Sequence, residues 1–166
     1  MNRANCNRRG ALRLFAGGSL AAMAVAHAPL AFAQGGAPLY PFGHGLSYTT
    51  FEIGAPVLSA SSIKAGEGVS VRVPVTNTGR MAGDEVLQVY LRDEVSSVTR
   101  PVKELVGFQR VTLQPGETRQ VDIAIRPDSL ALWNREMERV VEPGTFQIMA
   151  GPNSEDLKSV TLTVTP

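Results

Sequence analysis

The chain has 166 residues, with 16 Lys and Arg against 15 Asp and Glu, for a formal charge of +1. Four arginines (Arg3, Arg8, Arg9, Arg13) and no acid fall in residues 1–33, which leaves twelve basic and fifteen acidic side chains in residues 34–166. That distribution excludes a basic nucleic-acid-binding domain, because no cluster of Lys and Arg is left to neutralise phosphates. The length fits one domain, not two.

The head of the chain reads as an export signal peptide over residues 1–33. A positively charged start is followed by the uncharged run Leu14 to Ala26, and Ala31-Phe32-Ala33 supplies a small-x-small cleavage pattern before Gln34. The run has 13 residues, short of the roughly 20 that a membrane-spanning helix needs, so no permanent membrane anchor is expected. Arg8-Arg9 resembles the twin-arginine signal, although Ala11 stands where that signal usually has a large apolar residue. The alternative is an ordinary positively charged leader. Either route predicts a periplasmic or secreted bacterial product.

Cys6 is the single cysteine and lies within that leader. The remainder therefore has no disulfide framework, no thiolate nucleophile and no cysteine-ligated metal centre. A domain of this size must rest on its own apolar core, which chains near 150 residues can build by burying about two-thirds of their unfolded surface.

Residues 34–50 read as an extended approach segment, and residues 51–166 as strands and turns. Phe51 to Leu58 is the first strand. Val69, Val71, Val73 and Val75 alternate with polar residues, and Leu87, Val89 and Leu91 share one face of a second long strand. Val86 and Tyr90 on its other face predict a central, partly covered position. A strand near Lys103 to Leu113 leads to the Gln114-Pro115-Gly116-Glu117 turn, and Val121, Ile123 and Ile125 alternate after it. Pro127 to Leu130 reads as a short helical turn, with brief strands at 132–133 and 138–141. Phe146, Ile148 and Ala150 alternate, then Val160, Leu162 and Val164. About eight short strands with regular Gly/Pro turns predict an all-β, immunoglobulin-like β-sandwich. Pro74 removes a ladder donor mid-strand, so that strand is expected either at a sheet edge there or at a bulge. The absence of a cysteine pair favours the fibronectin type III class over an antibody-type domain.

The segment Leu39 to Thr49 (LYPFGHGLSYT) resembles the lead into the C-terminal domain of glycoside hydrolase family 3 enzymes. The likeness continues through Val75 to Gly79, Ala82 to Asp93, Ser97 to Glu117 and Val140 to Gly151, covering nearly all of 39–164. The resemblance implies a fibronectin type III-like sandwich. Family 3 enzymes hydrolyse β-linked glucosides and xylosides with an Asp nucleophile and an acid/base carboxylate held in domains that precede this one. Only Gln34 to Leu39 separate the leader from Tyr40, so the expected product is that third domain exported alone.

Glycoside hydrolysis needs two carboxylates about 5–9 Å apart across a cleft. Asp84/Glu85, Asp93/Glu94 and Glu136/Glu138 are the adjacent pairs, and each also suits a strand end or a charged hairpin tip, the reading adopted here. No catalytic, cofactor or metal site is expected. His44 is the only histidine after residue 33 and cannot build a histidine-rich metal site alone. As candidate interaction residues we take Tyr40, Phe42, His44, Tyr48 and Phe51 in and beside the approach segment, together with Arg100 and Trp133. The aromatics either pack back on the sandwich, meet a protein partner or stack on sugar rings. Trp133 is expected in the core or between the sheets. Arg100, Lys103 and Arg110 read as a solvated strand face or as a docking surface. The function expected is an exported non-catalytic module for protein interaction or for stabilising a glycan-degrading assembly. Its partner would be a glycoside hydrolase catalytic chain or a glycan. The alternatives are a component of a family 3 β-glucosidase and a carbohydrate-binding module.

Overall fold

The computed structural model describes residues 38–166, and the export-signal reading of residues 1–33 lies outside them. The elements are β1 (Phe51–Ile53), β2 (Val57–Leu58), β3 (Ser62–Lys64), β4 (Val69–Asn77), β5 (Gly83–Asp93), β6 (Glu104–Leu113), β7 (Thr118–Ile125), α1 (Pro127–Leu130), β8 (Leu132–Trp133), β9 (Arg139–Val140), β10 (Gly144–Gly151) and β11 (Lys158–Thr165). One sheet is built on β4, with β7 along one edge and β1 and β2 end to end along the other. The second has the order β3-β11-β10-β5-β6, and β8 pairs only with β9. This is an immunoglobulin-like, fibronectin type III-like β-sandwich.

The valines of β4, the Leu87–Val89–Leu91 face of β5, Val121–Ile123–Ile125 of β7 and Phe146–Ile148–Ala150 of β10 meet in one core. Period-two alternation in both sheets turns these side chains inward, and their burial drives the two layers together at about 25 cal/mol per Å² of apolar surface. Strand β5 is central, between β10 and β6.

The expected first strand is broken in two, and the break answers the Pro74 problem. Gly54 N–H donates to the Pro74 carbonyl at 2.8 Å, so the donorless side of Pro74 faces the gap between β1 and β2. A side chain at Gly54 would collide with the proline ring, since a Cβ there lies 2.4 Å from Pro74 Cγ. The ladder therefore loses nothing that a neighbouring strand was waiting for. Strand β3, which runs parallel to β11 through Ile63 and Val164, gave no periodic signal because it is three residues long and buries one side chain.

Asn77 ties the two sheets at one end. Its side chain is fully buried, with Nδ2 donating to the carbonyls of Met81 (2.8 Å) and Leu113 (3.0 Å) and Oδ1 accepting from Gly79 N–H and the Thr49 hydroxyl. Replacing Asn77 by Ala orphans these groups and is expected to cost about 2 kcal/mol. A lowered urea midpoint with an unchanged denaturant slope would show it.

Candidate functional site

The outward faces of the two sheets differ in kind. On β4 and β7 the outer side chains are solvated and pair with one another: Arg72 Nε meets Asp122 at 2.8 Å and the Thr76 and Thr118 hydroxyls lie 2.8 Å apart. On β5 the outer residues Gln88 and Tyr90 are buried, at 6% and 2% exposure. Residues 38–48 cover them as a strap.

Hydrogen bonds and one ring contact fasten the strap. Gln88 Nε2 donates to the Gly43 carbonyl (3.0 Å) and to the Pro152 carbonyl (2.6 Å), while the Tyr90 hydroxyl donates to Gln88 Oε1 (2.6 Å). Ser154 N–H donates to the Phe42 carbonyl at 2.9 Å. The Phe42 ring meets Tyr90 edge-on at 6.5 Å. Burial pushes the Tyr90 phenol above its ordinary pKa, which keeps it a hydrogen-bond donor. Gly43 has φ +78°, and a Cβ there would fall 2.0 Å from Gln88 Oε1, so both backbone angle and space require glycine.

Beyond the latch the strap is bare. Tyr40, Phe42 and Tyr48 are largely exposed, with the His44 ring stacked on Tyr40 at 5.0 Å. Phe51 instead packs against the core from β1. Next to Phe42 on β6, a bulge leaves Val106 unpaired between Leu105, which faces Tyr90, and Gly107, which faces Val89. The bulge sends Val106 to the core and Leu105 to the outer face, beside exposed Val102 and Phe108. Phe42, Tyr90, Val102, Leu105, Lys103 and Ser154 line a recess of about 390 Å³ there. On the other side of the strap, His44, Ser47, Asp84, Glu85, Asn153 and Asp156 are among the residues lining a cleft of about 510 Å³. Burial raises the Glu85 carboxyl above its usual range, only partly offset by the Val86 N–H.

Arg100 is an internal tie and not a surface cation. Its side chain is 9% exposed and reaches Asp93 (3.4 Å), Glu104 (3.0 Å) and the Leu130 carbonyl (3.1 Å). Asp93 is 2% exposed and its Oδ1 lacks a partner. Burial raises its carboxyl pKa despite the pull of Arg100. Of the other two basic residues, Lys103 bonds the Ser154 carbonyl and Arg110 pairs with Asp84. Trp133 is not in the core: it is 59% exposed on β8, and its neighbour Leu132 is the buried one. Two-residue β8 can turn only one side chain inward, and Leu132 takes that place.

In each of the three acid pairs at least one carboxylate is held by a neighbouring group. Asp84 is held by the Thr112 hydroxyl and Arg110, which lower its pKa. Glu94 accepts from Gln147, and Asn134 organises the Glu136–Glu138 turn through its side-chain oxygen. Glu142 caps the Ser97 hydroxyl and N–H and is lowered by them. Among the described residues no group of three or more His, Cys, Asp or Glu is placed to hold a metal, and no helix is long and apolar enough to cross a membrane.

The sheet order, the central β5 and the strapped outer face define a fibronectin type III-like sandwich, and residues 85–154 match the fibronectin type III-like domain family. A β-xylosidase of Formosa agariphila is 53% identical over 129 residues, 76% of this chain and 18% of its own length. A periplasmic β-glucosidase of Salmonella typhimurium is 43% identical over 76% of this chain and 17% of its own. The solved β-glucosidase of Erythrobacter marinus superposes with a TM-score of 0.75 at 45% identity, covering 78% of this chain and 17% of that one. The Listeria innocua β-glucosidase with glucose gives 0.74 at 39% identity, covering 78% and 18%. The chain thus carries the fibronectin type III-like domain found in glycoside hydrolase family 3 β-glucosidases and β-xylosidases. It spans less than a fifth of the length of these relatives.

Proposed function

We propose that the chain is an exported, non-catalytic module that mediates protein interaction in, or stabilises, a glycan-degrading assembly. The observation that carries this reading is the division of labour on the domain surface. Asp84, Asp93, Glu117 and Glu142 are each committed to internal bonds, while the strap and β6 present apolar side chains with nothing over them. Contiguous exposed apolar surface marks an interaction site. The leader pattern in residues 1–33 and the periplasmic location in the name of the Salmonella relative support export. The domain boundaries adopted are a leader over 1–33, the strap within 34–50 and the sandwich over 51–166.

The relatives' printed activities favour one second reading, in which the domain is a component of a family 3 β-glucosidase and the enzyme's chemistry resides in the rest of the assembly. Both readings predict that the purified chain does not turn over an aryl β-glucoside above the buffer rate. Turnover that persists through successive purification steps overturns the non-catalytic assignment.

A further inference from the structure

We infer that the outer face of the β8–β9 ribbon is a saccharide-binding site, with the Trp133 indole as platform for one pyranose ring and the Arg139–Asp128 pair as its hydrogen-bonding rim. This deepens the proposed function, which supplies β-linked glycan as the ligand class. The site lies on a different element from the strap.

The register sets Trp133 directly opposite Arg139 and Leu132 opposite Val140. Residues opposite one another across a ribbon share a side, so Leu132 and Val140 take one face and Trp133 and Arg139 the other. Leu132 is 6% exposed, which makes its face the inner one. Trp133 is thereby turned to solvent by the pleat itself.

The groups around it are held in place. Arg139 donates to the Asp128 carbonyl at 3.1 Å, and its guanidinium lies 3.2 Å from the Asp128 carboxylate. Asn134, the next residue after Trp133, accepts the Glu136 and Glu138 N–H groups on its side-chain oxygen. Its own N–H donates to the Glu138 carbonyl, and its carbonyl accepts the Met137 N–H. This net keeps Met137 at φ +61°, a left-handed angle that residues other than glycine seldom take. Strain of this kind persists only where surrounding bonds over-determine it, and it clusters at ligand sites. A platform already fixed costs a ligand little ordering entropy.

Size and charge identify the occupant. A stable protein interface takes about 800 Å² from each partner, whereas one indole supplies about 250 Å² at most. Arg135 and Arg139 stand against Asp128, Glu136 and Glu138 in this segment, so no strong field selects an ionic ligand. What is left is a flat apolar ring beside groups that both donate and accept hydrogen bonds. A pyranose has the matching surface, with apolar C–H groups on its face and hydroxyls around its edge.

Trp133 is the only tryptophan in the chain, so its fluorescence reports this site alone. Titration of the purified chain with cellohexaose or xylohexaose is expected to shift the emission to shorter wavelength and to saturate, as the sugar displaces water from the indole. In native gels cast with soluble β-glucan or xylan, the parent should be retarded. Trp133→Ala is expected to weaken that retardation by about ten-fold or more in association constant, and Trp133→Tyr, which keeps a ring, to retain most of it. Tyr48→Ala, at a side chain 97% exposed on the strap, should leave it unchanged. Trp133→Ala should melt within about 2 °C of the parent, because the side chain faces solvent. An emission that no sugar moves, a parent that neither polymer retards, or retardation that survives Trp133→Ala overturns the site. Each of these leaves the proposed function standing, since that reading fails only by turnover of the aryl β-glucoside.

Discussion

Replacing Arg100 by Met is expected to destabilise the protein by about 3–5 kcal/mol, the range found when one partner of a buried ion pair is removed. Met keeps much of the volume, so the loss is electrostatic. Asp93 is left with 2% of its side chain in solvent, one oxygen already without a partner and the carboxylate without its guanidinium, with only the Val95 N–H still directed at it. The Leu130 carbonyl and Glu104 lose a donor as well. Asp93→Asn added to Arg100→Met removes the stranded charge and is expected to restore most of the loss. Failure of the second change to restore anything in urea denaturation would place the cost in packing instead.

The pH dependence has a defined sign. Burial raises the folded-state pKa of Asp93, so its contribution to stability is fully present below the ordinary carboxylate value and is lost as pH rises through the raised one. Without Arg100 that rise grows. The deficit of Arg100→Met should therefore be largest near neutrality and shrink as pH falls. Asp84, Glu117 and Glu142 act oppositely in both proteins. Their pKa values are lowered by hydrogen bonds, so their contributions exist above the ordinary range and fade as pH drops. Asp84 and Glu117 cancel from the comparison of variant with parent, whereas Glu142, which Arg100 also holds down, loses part of its lowering in the variant.

The second large effect is expected at Gln88. Changing it to Ala leaves the buried Tyr90 hydroxyl without an acceptor and the Gly43 and Pro152 carbonyls without a donor, a cost of about 3 kcal/mol. The damage should be local in its dynamics. Hydrogen exchange at the Ser154 amide, which donates to the Phe42 carbonyl, should rise out of proportion to the loss of global stability, because the strap lifts before the sheet opens. Gln88→Leu combined with Tyr90→Phe removes the polar groups on the sheet side together and should cost less than Gln88→Ala. Equal protection of Ser154 in parent and variant would show that the contacts of Phe42 with Tyr90 and Ser154 hold the strap without the Gln88 latch.

Much of the sandwich was legible because its core strands are long and one-sided. Nine residues of β4 and the Val121–Ile125 stretch of β7 alternate strictly, and period two fixes which side chains face in. The 127–130 helical turn and the brief 132–133 strand also fell where Pro127 and the following apolar pair indicated. What failed was short or relational. Three-residue β3 carries no period. Trp133 lost the inward position to Leu132 in a strand too short to hold both. Arg100, read as part of a solvated or docking surface, is internal because the chain folds Asp93, Glu104 and Leu130 around it, and only Glu104 is near it in sequence.

By itself the sequence determined the strand-and-turn pattern, the single core, the domain's likeness to the fibronectin type III-like part of family 3 enzymes, and the aromatic strap as the segment of interest. The tertiary structure decided which of those aromatics are bare. Strict alternation carried back from Leu113 and Val111 would put Leu105 in the core. The bulge at Val106 reverses the parity and turns Leu105 outward beside Phe42. Gln88, polar and mid-strand, reads as a solvent-facing residue until Gly43 and Pro152 close over it. Local periodicity records which way a strand faces, but whether a face is covered depends on segments tens of residues away, and only their packing together sets it.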